Sequence, residues 1–126
     1  MVNIDTERIK RAVYIDLGKL AKVAGYNEPC SYYYDTQDNV LLKSENSDNW
    51  NSTIRFVSIP DLLELIEWLS ENKVYVYARH YVDENGDILF MSEVFGKYYT
   101  NTKNAFKTYL QALYYGVEKA LKENFD

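Results

Sequence analysis

The chain has 126 residues, 47% hydrophobic and 26% charged, with a net charge of −5 at pH 7. That size and balance suit one soluble domain able to bury a core unaided, and the acidic sign opposes general binding to nucleic-acid phosphates. With Cys30 as the single cysteine, no basic start leading into an apolar run and no stretch of bilayer length, a reducing, cytoplasmic setting without membrane contact is expected.

Ile9, Val13, Leu17, Leu20, Ala21 and Ala24 recur three and four residues apart, which predicts a helix from about residue 6 to residue 24. Gly18 interrupts that run, and Val13-Tyr14-Ile15 also suits an extended piece, with Asp16 then capping a shorter helix ending at Gly25. Glu28-Pro29 stops the element, because proline cannot continue a helical hydrogen-bond ladder. Residues 30–35 and 40–44 read as a hairpin around Thr36-Gln37-Asp38-Asn39. The polar stretch 43–53 reads as a loop, with Trp50 expected to pack back on the domain body. Asn51-Ser52-Thr53 has the form of a glycosylation acceptor, without consequence in a chain that lacks a secretory signal.

Residues 54–57 read as a short extended piece before a helix start. Ser58-Ile59-Pro60-Asp61 sets a capping serine three residues ahead of an acid, with proline in the first turn. Leu62, Leu63, Ile66 and Leu69 form the expected buried stripe, and Asp61, Glu64, Glu67 and Glu71 a solvated acidic face. Residues 74–82 and 88–99 flank Asp83-Glu84-Asn85-Gly86-Asp87. With Asn85-Gly86 at the centre of a type I′ turn, Val82 falls opposite Leu89 and His80 opposite Met91. Alternation then gathers Val74, Val76, Ala78, His80 and Val82 with Leu89, Met91, Glu93 and Phe95. The other face holds Tyr75, Tyr77, Arg79 and Tyr81 with Ile88, Phe90, Ser92 and Val94. A last helix is expected from Asn101-Thr102 towards Asn124, on the period of Phe106, Leu110, Leu113, Val117, Ala120 and Leu121, with Glu118 and Lys122 one turn apart. The order helix, hairpin, helix, hairpin, helix, with no linker, predicts a single α+β domain over residues 1–126, an antiparallel sheet with helices mainly on one face.

Candidate chemistry is sparse. His80 is the only histidine, which excludes multi-histidine metal sites and leaves no metal centre or cofactor expected. In the expected register His80 lies diagonal to Glu93, a possible polar pair of base and orienter, beside the plainer reading of a histidine satisfying one hydrogen bond. The acidic turn 83–87 lacks the ligand spacing of a calcium loop, and no phosphate loop or nucleophile elbow is present, so no catalytic residue is assigned. Leu17 to Tyr26 echoes the start of a helix-turn-helix, but Glu28-Pro29-Cys30 and three tyrosines follow where a recognition helix would have to lie. Thirteen tyrosines dominate the composition instead. Tyr75, Tyr77, Arg79 and Tyr81 form the candidate interaction face, since tyrosine and arginine are enriched in protein contacts. A covered face is the competing reading.

The run Leu17 to Lys22, then Gly25-Tyr26-Asn27-Glu28-Pro29-Cys30-Ser31-Tyr32-Tyr33-Tyr34-Asp35, resembles the opening of a family of small uncharacterised proteins. These are encoded by phages, prophages and mobile elements of gut bacteria related to Bacteroides. Ile59-Pro60-Asp61-Leu62 with Glu67-Trp68-Leu69-Ser70-Glu71 is similar to that family's capped helix, and Phe106-Lys107-Thr108-Tyr109 through Ala120-Leu121 to its closing helix. The polar stretch before Ile54 is longer here. The resemblance implies a mobile-element context and no mechanism. Together these readings predict a non-enzymatic interaction protein whose partner is a host or phage protein, or a second copy of itself. The alternative is a small-molecule or nucleotide-binding domain, or a simple enzyme, with a tyrosine-lined pocket anchored by Arg79 or His80.

Overall fold

The computed structural model describes residues 4–101 and 105–125. Among these residues lie three α-helices and two antiparallel three-stranded sheets, an α+β arrangement. The chain divides into two compact units, Met1–Asp61 and Leu62–Asp126. The two hairpins do not share the single antiparallel sheet that the sequence reading expected. Each hairpin instead takes up a short third strand, giving the orders β2-β1-β3 and β4-β5-β6.

In the first unit, α1 spans Ile4–Ala24 without the extended break considered for Val13-Tyr14-Ile15. Leu17 and Ala21 are buried on its inner face. Gly18 allows close approach to the sheet: a Cβ there would lie 2.5 Å from Ile59 Cδ1 and 2.9 Å from the Ser58 carbonyl oxygen. The helix ends where Gly25 takes φ +101°. Gly25 N–H donates to Lys22 O and Tyr26 N–H to Ala21 O, the paired bonds of a Schellman end. Lys22 Nζ reaches on to the Thr53 and Phe56 carbonyls at 2.6 and 2.7 Å.

Strands β1 (Cys30–Asp35) and β2 (Val40–Asp48) pair across the expected turn, Asp35 opposite Val40. β2 runs four residues past the expected end at Ser44, through a register shift opposite the Cys30 end of β1. A short 3-10 helix, Trp50–Ser52, follows. Asn51 pins it from both ends of its amide, donating to Tyr26 O and accepting from Ser58 N–H, each at 2.8 Å. That brings β3 (Phe56–Ser58) to the free side of β1, with Tyr33 opposite Ser58. Ser58 is therefore not a helix cap: it is buried, and its Oγ accepts from Trp50 N–H at 3.0 Å.

In the second unit, α2 is Leu62–Glu71, starting directly after Asp61. Its buried residues are Leu62, Leu65, Trp68 and Leu69, whereas Leu63, expected inside, is 66% exposed. Trp68 stacks on Phe125 with ring centroids 5.2 Å apart. β4 (Tyr75–Val82) and β5 (Ile88–Phe95) form the central hairpin, and β6 (Tyr99–Asn101) pairs with the end of β5. The last helix does not begin near Asn101, because residues 99–101 extend the sheet, and Thr102 lies outside the described residues. α3 is Tyr109–Glu123, capped by Thr108, whose hydroxyl accepts from Gln111 N–H at 3.1 Å. It buries Ala112, Gly116, Val117, Ala120 and Leu121, while Leu110 stays half exposed. Phe106 precedes the helix and exchanges both backbone bonds with Phe90. Glu118 and Lys122 form the expected ion pair at 2.7 Å.

Candidate interaction face

The face follows from one turn. Gly86 has φ +83°, but Asn85 is not in the left-handed region. Gly86 N–H donates to Asp83 O at 3.1 Å, and Asp83 N–H to Asp87 O at 2.9 Å. The Asp83 carboxylate also accepts from Asn85 N–H and Asp87 N–H, both at 2.9 Å. This is a type I turn followed by a left-handed glycine, a three-residue loop rather than the two-residue type I′ loop. One more loop residue shifts the register by one, and side chains in a strand alternate, so every β5 residue changes face.

The pairs are Val82–Ile88, Tyr81–Leu89, His80–Phe90, Arg79–Met91, Ala78–Ser92, Tyr77–Glu93, Val76–Val94 and Tyr75–Phe95. The expected His80–Glu93 pair is thereby corrected: His80 faces Phe90 and Glu93 faces Tyr77, so the two side chains leave opposite sides of the ladder. α3 covers the side of Val76 and Ser92, where a Cβ on Gly116 would come within 2.7 Å of Val76 Cγ1.

Tyr75, Tyr77, Arg79 and Tyr81 share the side away from α3, now joined by Met91, Glu93, Phe95 and, from β6, Tyr99. Tyr77, Phe95 and Tyr99 are 56, 42 and 55% exposed. Their rings touch in series, Tyr77 edge-on to Phe95 at 5.8 Å and Phe95 tilted on Tyr99 at 4.9 Å. Arg79 Nε meets Glu93 Oε1 at 2.5 Å, and the Tyr99 hydroxyl donates to Glu93 Oε2 at 3.3 Å. Tyr81 is half-buried. The sequence reading places Glu93 and Phe95 on the other face because the turn type decides their side, and Tyr99 joins them through its pairing with Phe95. The missed signal is Asp83, an acid well suited to the first position of a type I turn.

A second aromatic group lies in the first unit. Trp50 packs back as expected, stacked on Tyr33 at 4.0 Å and edge-on to Phe56, with its Nε1–H donating to Cys30 O at 2.7 Å. Arg55 clasps the buried Asp35 through Nε and an Nη at 3.0 and 2.7 Å. The Arg55 hydrogen bonds, helped by the backbone N–H groups of Asp38 and Gln37 and opposed by burial, hold the Asp35 carboxyl down at about 2. No buried side-chain polar atom of this cluster lacks a hydrogen-bond partner.

Among the described residues, no group of three or more His, Cys, Asp or Glu side chains could hold a metal ion, and no helix is long and apolar enough to cross a membrane. No protein family, curated protein or solved structure matches this chain.

Proposed function

We propose that this is a non-enzymatic cytoplasmic protein of phage or mobile-element origin that binds a host or phage protein through the open face of the β4–β5–β6 sheet. The observation carrying this reading is the connected run of half-exposed rings, Tyr77, Phe95 and Tyr99, beside the Arg79–Glu93 ion pair. Aromatic side chains offer large contact area at low cost in rotamer entropy, and arginine adds a directional polar anchor. The acidic chain and the single arginine on this face disfavour a nucleic-acid partner. The main elements keep the helix, hairpin, helix, hairpin, helix order in this proposal, with β3 and β6 as additions.

The test is an affinity pull-down from an extract of a Bacteroides-type host, comparing the native chain with Tyr75→Ala/Tyr77→Ala/Arg79→Ala. A protein retained by the native chain and lost by a folded variant supports the proposal. Absence of any specific partner, together with a small molecule that raises the melting temperature, would replace it with the ligand-binding alternative.

A further inference from the structure

Among the described residues, three of the four sheet edges are short or irregular, and β4 is the exception. β3 and β6 have three residues each, and the β1–β2 ladder is broken by its register shift. β4 is eight residues long, pairs with β5 without a bulge, and carries neither proline nor lysine. Shortness, bulges, proline and lysine are the features by which exposed edges normally avoid pairing with other chains.

The direction of its backbone groups follows from the turn. Asp83 and Asp87 are a hydrogen-bonded pair, so by alternation Tyr81, Arg79, Tyr77 and Tyr75 bond inward to β5. The N–H and C=O groups of Val76, Ala78, His80 and Val82 then point outward. The same alternation sends the Phe90 groups away from β4, where they meet Phe106 at 2.8 and 2.9 Å. Among the described residues, no hydrogen-bond partner meets those four outward pairs.

We infer that β4 pairs antiparallel with β4 of a second copy about a two-fold axis at Ala78, joining two three-stranded sheets into one of six strands. Outward groups of both copies can meet only if the axis passes through a residue. An axis at Arg79 would set two arginines directly opposite, and axes at Tyr77 or His80 shorten the paired segment. With the axis at Ala78, residues 75–81 of both copies align. Val76 of one copy bonds His80 of the other, and on the open face Tyr77 of one lies opposite Arg79 of the other, a cation–π pair. Tyr75 falls opposite Tyr81. The occupant is a second copy because this strand is complementary to itself in that register. The inference rests on the edge and not on what binds the open face.

The test is sedimentation equilibrium from low micromolar to near-millimolar protein. The native chain is expected to reach twice the chain mass. His80→Pro removes an outward donor, leaves the bonds to β5 and every open-face side chain in place, and is expected to stay at one chain mass with unchanged circular dichroism. A native chain that stays monomeric throughout overturns the inference. A Tyr77→Cys/Arg79→Cys variant gives a second readout should the proline variant misfold. In a buffer of reduced and oxidised glutathione, the oxidised form taking up the two electrons, it is expected to form disulfides between residue 77 of one copy and residue 79 of the other, at a non-hydrogen-bonded pair. The native Cys30 is buried and does not compete. No cross-linked dimer from a folded cysteine variant overturns the inference equally. Retention of a host partner by monomeric His80→Pro separates the fate of this inference from that of the open-face proposal.

Discussion

Asp35 and Gly116 show how single residues set tolerance in this chain. The Asp35 carboxyl, held at about 2 against an ordinary 3.8, binds its proton more weakly folded than unfolded. Its pairing with Arg55 therefore stabilises fully above about pH 4 and is lost as the pH falls towards about 2. Asp35→Asn is expected to lower the urea midpoint at neutral pH and to flatten its acid dependence across that window. Gly116 sits mid-helix, where alanine normally gains about 1 kcal/mol. Here the added Cβ would press on Val76 Cγ1 at 2.7 Å and Ser92 Cβ at 3.0 Å. Gly116→Ala should destabilise by about 1–3 kcal/mol in chemical denaturation, because overpacking outweighs helix propensity.

At the scale of elements, the turn 83–87 decides more than its length suggests. Its position was legible from Asn85-Gly86, but its type was not, because the same dipeptide serves loops of two or three residues. The Asp83 carboxylate selects the longer one. Only Gly86 then needs a positive φ, so Gly86→Ala is expected to cost about 1–2 kcal/mol while Asn85→Ala stays within about 0.5 kcal/mol. Equal costs at both positions in thermal unfolding would restore the type I′ turn. Other elements divide along similar lines. α1 and the first hairpin follow from hydrophobic period and turn residues. The start of α3 does not, because Asn101 and Thr108 both suit a cap and only pairing of residues 99–101 with β5 rules out the first. The α2 stripe was misplaced since Leu62, Leu63, Leu65, Ile66 and Leu69 satisfy more than one helical face. Ser58 was drawn into the fold by Asn51 and Trp50, partners that only tertiary structure brings near.

Across the whole molecule, aromatic residues serve two ends. Tyr33, Trp50 and Phe56 close a cluster in the first unit, whereas Tyr77, Phe95 and Tyr99 remain open in the second. Tyrosine content alone could not separate these uses. The open set carries little of the fold, so Tyr75→Ala/Tyr77→Ala/Arg79→Ala should lose only about 1–2 kcal/mol in denaturant titration and keep its native spectrum. Fluorescence anisotropy with single-stranded DNA at physiological salt is expected to show no binding, because a net charge of −5 is repelled by phosphates. The clasp made by Asn51 has a practical corollary for producing the protein. Its Nδ2, the atom an oligosaccharide would occupy in Asn51-Ser52-Thr53, already donates to Tyr26 O. Expression through a eukaryotic secretory route, where sugar is attached before folding is complete, would crowd the bond that seats the 3-10 helix, so glycosylated chains are expected to close their first unit less stably than bare ones.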